Sequence, residues 1–182
     1  MNKHLTYFSI TLLIITILFS CKSKEDILDD ITSDTNSITA KINGEDFSAS
    51  GLTVTAEYSI PNAMVQTLGI VGAEIPINGV TRAIALAIVS TDATWIISGE
   101  TYTATGSTKV GAGEYNIENS TTNTDINAVS SNTDVATITI TAIDYSTKLV
   151  SGTFSFDAID EDDNSNTTYQ VRDGEFNDVS FE

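Results

Sequence analysis

Hydrophobic and polar positions divide the chain into three stretches of different pattern. Residues 5–20, "LTYFSITLLIITILFS", are apolar almost without interruption. Residues 21–36, "CKSKEDILDDITSDTN", are polar and acidic, with scattered Ile and Leu that keep no period. From Ser37 onward apolar and polar residues alternate, which is the two-residue period of a strand with one buried face. Ile38, Ala40 and Ile42 alternate in the first run, and Phe47 and Ala49 in the next. Asn43-Gly44 between them signals a hairpin, because both central residues of a type I′ turn need positive φ. "LTVTAEYSI" puts Leu52, Val54, Ala56 and Tyr58 on one face, and Pro61-Asn62 closes it. "VQTLGIVGAEI" and "TRAIALAIVST" flank a second Asn-Gly pair. In the latter, Ile84, Leu86 and Ile88 alternate with alanines, so the strand is expected to be central and covered on both faces.

The middle of the chain is less regular. A strand is expected around Trp95–Ile97, with a short one near Tyr115 among Gly-rich turns. Residues 118–134 read as a polar loop. "VATITITAID" and "LVSGTFSFDAI" then alternate around a "YSTK" turn, and "TTYQVRDGEFNDVSF" forms a last pair turning at Asp173-Gly174. Beyond residue 36 no helical period is sustained. About nine short strands predict an all-β fold, a single antiparallel β-sandwich or β-barrel over residues 37–182, preceded by a signal helix and a flexible tether. Trp95, Phe154, Phe156, Tyr169, Phe176, Phe181 and the aliphatics supply its core.

The boundary between the first two stretches carries chemistry. A basic start at Lys3, a short apolar run and small residues at its end read as a secretory signal over residues 1–20. The tight apolar core of that run, Leu12 to Phe19, falls short of the roughly 20 apolar residues a membrane span takes. The only cysteine, Cys21, stands at the seam. "Leu18-Phe19-Ser20-Cys21" resembles the lipobox of bacterial lipoproteins. That resemblance implies cleavage between Ser20 and Cys21 and a diacylglycerol thioether, with palmitate-type acyl chains, on the Cys21 sulfur. A thiolate is the best nucleophile for taking a lipid. Several chains at about 0.8 kcal/mol per buried CH₂ make such an anchor stable where a single chain is marginal. Lys24, Glu25 and Asp26 resemble the export label that sends some of these lipoproteins to the outer face of the outer membrane. A merely solvated tether on the periplasmic face is the alternative.

The β region carries a resemblance of its own. "KINGEDFSA", "LVSGTFSFDAID" and "YQVRDGEFNDVSF" resemble a family of small bacterial lipoproteins without an assigned activity. The matching residues are Lys41, Asn43, Gly44, Phe47, Gly152, Thr153, Phe154, Phe156, Gly174, Phe176 and Val179, while residues 90–135 depart from the pattern. The resemblance implies a fold and brings no activity with it.

Charge and residue counts narrow the function classes. Removing residues 1–20 takes the 8 basic residues to 7 against 25 acidic, a net of −18. Nucleic acid and electrostatic docking on anionic lipid are thereby excluded as partners. A self-repelling surface or recognition of cations remains. One cysteine permits no intramolecular disulfide and no cysteine-cluster zinc site. The single histidine, His4, precedes the cut, so His-based acid–base and nucleophilic sites are missing from the mature chain. "GAGE" at 111–114 is too short for a phosphate-cradling loop.

Carboxylates remain, densest in "DAIDEDDNSNTT". Asp160, Asp162 and Asn164 are hard oxygen ligands of the kind Ca²⁺ takes. The run lacks the glycine of calcium-loop grammar, and a solvated hairpin loop that resists edge-to-edge pairing is the simpler reading. Trp95 with Tyr58, Tyr102, Tyr115, Tyr145 and Tyr169 reads as a glycan platform or, preferably, as core and cross-strand pairs. The expected function is therefore a lipid-anchored, non-enzymatic envelope module with a protein or glycan partner and no cofactor beyond its lipid. A lipocalin-like barrel carrying a small apolar ligand is the alternative. A carboxylate-based glycan-active enzyme, with two acids flanking a cleft, comes third.

Overall fold

The computed structural model describes residues 36–91, 94–130, 135–160 and 167–182. The signal segment 1–20, most of the tether 21–36, and Ser20, Cys21, Lys24, Glu25, Asp26, Asp162 and Asn164 lie outside the described residues. Eleven strands follow one another: β1 (Ser37–Ile42), β2 (Glu45–Ser50), β3 (Val54–Asn62), β4 (Val65–Ala73), β5 (Val80–Ser90), β6 (Thr101–Thr103), β7 (Lys109–Asn119), β8 (Thr124–Val129), β9 (Ala136–Asp144), β10 (Leu149–Asp160) and β11 (Thr168–Ser180). They build one sheet in the order β2-β1-β11-β10-β9-β6-β7-β5-β4-β3, with β8 pairing both β7 and β10 off that path. Named strand pairs are antiparallel except β6–β7. The all-β expectation holds. The architecture is one mixed sheet curled on itself, without the uniform closure of a clean barrel.

Local chemistry explains the hairpins. Asn43 (φ 51°) and Gly44 (φ 88°) both occupy the left-handed region, as the β1–β2 turn requires, and Asn78 (φ 54°) with Gly79 (φ 78°) do the same before β5. Strand β5 lies between β4 and β7. Its Ile84, Leu86 and Ile88 enter the core, while Ala85 and Ala87 on the other face are buried too. This central strand is covered on both sides, as its alternation predicted. Along β10 every second residue from Val150 to Ala158 is buried, and Phe156 and Phe176 at the centre are fully enclosed.

Five expectations are corrected. Among the described residues there are eleven strands, where about nine were expected. Residues 118–134 are not simply a loop, because β8 occupies Thr124–Val129 and lays Ile126 and Ala128 against the core between polar Asp125 and Asn127. Trp95–Ile97 form no strand, and the short β6 follows them instead. Around Tyr115 the glycines extend a strand where turns were expected, making β7 eleven residues long. A Cβ on Gly113 would lie 2.3 Å from Phe156 Cδ1, so the glycine leaves room for that ring.

Asp173-Gly174 also plays a different part. Strand β11 runs straight through it, and Asp173 (φ 50°) and Asp178 (φ 46°) each accompany a register shift. Each bulge adds one residue to the count. Val171, Gly174, Phe176, Val179 and Phe181 therefore all face inward, at spacings of three and two.

The curled sheet meets itself in two places. At one, β3 joins the C-terminal end of the chain through a parallel bridge between Ala56 and Phe181. Tyr58 N–H donates to Glu182 C=O at 3.0 Å and Glu182 N–H to Ala56 C=O at 3.4 Å. At the other, the free edge of β2 is capped by side chains. Glu74 Oε1 accepts from Ser48 N–H at 3.0 Å, and Arg82 Nη2 donates to Asp46 C=O at 2.8 Å.

Candidate functional site

At the first junction lies a cluster of aromatic rings. Tyr58 is on β3, Tyr145 in the β9–β10 turn, Phe181 just past β11, and Trp95 in the segment between β5 and β6. Trp95 lies nearly parallel to Tyr58 (centroids 6.4 Å apart, interplanar angle 15°) and edge-on to Tyr145 at 5.0 Å. Tyr145 in turn meets Tyr58 at 5.3 Å and Phe181 at 5.9 Å. Such offset and edge-to-face pairs add roughly 0.5–1.5 kcal/mol each beyond the area they bury. Phe181 is buried and Trp95 is 51% exposed, so the cluster runs from core to solvent.

A buried amide holds this end together. Gln66, 6% exposed, accepts at Oε1 from the Tyr58 hydroxyl (2.7 Å) and from Ile96 N–H (3.1 Å). Tyr145 O–H donates to Ile96 C=O at 2.6 Å. Ile96 is fully enclosed, so both its backbone groups are satisfied by side chains in a segment that has no ladder to do so. Burial pushes the Tyr58 and Tyr145 hydroxyls up from their ordinary value, Tyr145 the further, so both stay protonated donors. In the turn beneath, Asp144 Oδ1 accepts from the Ser146 hydroxyl and amide (2.6 and 2.8 Å) and from Thr147 N–H at 3.3 Å. Those bonds bring the Asp144 carboxyl down to about 2.

The second junction is ionic. Arg82 on β5 donates from Nε to Glu74 Oε2 (2.6 Å) and from Nη2 to Glu74 Oε1 (2.9 Å), a forked pair, with Glu45 3.7 Å away. Lys41 and Asp46 pair at 2.7 Å on the adjacent hairpin. Tyr115, packed on Tyr169 at 5.1 Å, is pushed up to about 12 by burial, against the opposing effect of Arg82. On the opposite face of β7, Glu114 is 7% exposed and accepts from Asn116 Nδ2 at 2.9 Å; burial raises its carboxyl above the ordinary value.

Of the lipidation, export-label and calcium candidates, Asp160 is the one described. It continues the inward phase of β10, is buried, and donates its backbone N–H to Thr167 C=O at 3.0 Å. Among the described residues no three His, Cys, Asp or Glu side chains gather as a metal site would need. No described helix is long and apolar enough to cross a membrane. The Tyr set divides between functions of packing. Tyr102 and Tyr115 are buried, Tyr58, Tyr145 and Tyr169 flank the core, and Trp95 alone presents a large exposed aromatic face. Sequence reasoning missed Gln66, Glu74 and Arg82. The available signal was a lone arginine at the head of the apolar run "TRAIALAIVST".

No protein-family model matches the chain, no curated protein is detectably similar to it, and no solved structure matches its fold.

Proposed function

We propose that this chain is a bacterial envelope lipoprotein, of the kind its motifs resemble, whose β domain is a non-enzymatic binding or structural module. The observation that carries the reading is the Leu18-Phe19-Ser20-Cys21 sequence, which stands where an apolar run gives way to an acidic tether. Cys21 is then the first mature residue and the site of diacylglycerol and palmitate-type acyl attachment, after cleavage beyond Ser20. Lys24, Glu25 and Asp26 act as the label for the outer face of the outer membrane.

Two structural features favour a module over the alternatives. The interior is filled where rings press on glycines, since a Cβ on Gly152 would fall 2.3 Å from Phe176 Cζ and one on Gly174 would fall 2.5 Å from Phe154 Cε2. That filling speaks against a lipocalin-like carrier. The buried carboxylate Glu114 is engaged by Asn116 Nδ2, which favours a structural role for it over that of a free acid in a glycosidase pair.

The test is membrane fractionation with radiolabelled palmitate. The native chain is expected in the membrane fraction carrying label, and Cys21→Ala in the soluble fraction without it. Retention of the unlabelled variant on membranes overturns the reading.

A further inference from the structure

We infer that the Trp95 end of the β domain faces the lipid surface and seats its exposed apolar side chains in the interface. The inference rests on the reading of Cys21 as the lipid attachment point. Three observations place the surface at this end.

The first is exposed apolar area. Ile60 (49% exposed) and Met64 (61%) lie at the β3–β4 hairpin, and Trp95 (51%) and Ile97 (46%) in the segment between β5 and β6. The Tyr58–Trp95 stack and the Gln66–Ile96 hydrogen bond join these two segments. Indole and tyrosine rings concentrate where one side is apolar and the other wet, as at a bilayer interface.

The second is the state of the neighbouring polar groups. Gln66 Oε1 is used by Tyr58 and Ile96, the Tyr145 hydroxyl by Ile96 C=O, Asn62 Oδ1 by Met64 N–H, and Ser98 Oγ by Ile143 N–H. Gln66 and the two tyrosines spend these acceptors and donors within the protein. The acceptors of exposed Asn62 and Ser98 are each engaged by a backbone N–H, so the surface offers apolar area with few uncommitted acceptors. A sugar or a polar peptide needs hydrogen-bond partners; acyl chains do not.

The third is the route of the chain. Asn36, where the tether meets β1, donates to Gly51 C=O (2.5 Å) and Val54 C=O (3.1 Å) and accepts from Ser180 N–H (3.4 Å). Ser180 adjoins Phe181, whose ring touches Tyr58 and Tyr145. The tether therefore leaves the domain beside the aromatic end. Between Cys21 and Asn36 the chain can span at most about 50 Å. Tethering at that range gives a local concentration of order millimolar, so even weak insertion is populated. The net negative charge calls for a zwitterionic surface, with apolar burial providing the attraction. Ile75 and Ile77 are also exposed, but they lie at the β4–β5 turn beside Glu74 and Arg82, whereas Leu52, 66% exposed, adjoins Gly51 where Asn36 is held.

Trp95 is the chain's only tryptophan, so its emission reports the site directly. The mature chain is coupled through the Cys21 thiol to a maleimide lipid in phosphatidylcholine vesicles. Trp95 emission is expected to shift to shorter wavelength and to lose intensity when brominated phosphatidylcholine replaces the ordinary lipid. The double variant Ile60→Asp, Ile97→Asp, with unchanged circular dichroism, is expected to lose both effects. Coupled protein whose emission ignores brominated lipid overturns the inference, as does a shift induced by a neutral polysaccharide in its place. Palmitate labelling separates the two failures. Without acylation of Cys21 the anchor reading falls and takes this one with it, whereas acylation without bromolipid quenching sinks only the inference.

Discussion

Where β3 meets the end of the chain, main chain bonds main chain, and the Phe181 ring packs against both Tyr58 and Tyr145. Where the β2 edge meets β4 and β5, side chains stand in for a strand: Glu74 takes the Ser48 amide and Arg82 the Asp46 carbonyl. Both arrangements satisfy edge groups that otherwise recruit another chain. They differ in what they depend on. The first needs position and apolar burial, which salt does not screen. The second needs two charges held in one geometry, so it weakens as ionic strength rises.

The contrast can be broken first at its apolar side. Phe181→Ala removes a buried ring and is expected to lower unfolding free energy by about 3–5 kcal/mol, read from the urea midpoint at unchanged slope. A loss under about 1 kcal/mol places the strength of that junction elsewhere. At the ionic side, Arg82→Met is expected to cost about 1–2 kcal/mol, because the pair is only partly buried. Its sharper signature is comparative. Added salt should narrow the stability difference between the native protein and the variant, since it screens the pair in one and the general self-repulsion in both. The uncovered β2 edge should raise self-association in light scattering.

The smallest effect concerns pH. Asp144, at the aromatic end, is held down to about 2 from an ordinary 3.8 by Ser146 and Thr147. A depressed carboxylate contributes stability that is complete above its unfolded value and lost as pH falls through the folded one. Asp144→Asn should therefore flatten the acid limb between those two values, and an unchanged limb would remove Asp144 from the account.

Much of the fold is legible in the chain. Asn43-Gly44, Asn78-Gly79 and the two apolar faces of β5 follow from turn chemistry and the two-residue period. Strand β11 shows why the rest is not. Its bulges at Asp173 and Asp178 lengthen the inward spacing to three, and an Asp-Gly pair then looks like a turn. In β8 a period carried by only Ile126 and Ala128 is hidden among Thr, Asn and Ser. The candidate site was half visible. Trp95 and the tyrosines stand out by type, but Gln66 looks like any alternating polar residue until Ile96, 30 positions away, comes to it. Arg82 reaches the Asp46 carbonyl across 36 positions, a pairing that no local pattern encodes.

Strand β1 has a mechanical consequence. It is flanked on both sides, paired with β2 from Ser37 to Ile42 and with β11 over the same length. Asn36 pins its beginning to Gly51, Val54 and Ser180. Tension arriving through the preceding chain is delivered along β1, so both ladders are loaded in shear at once and cannot open one bond at a time. A domain held this way resists being pulled apart by its own leash.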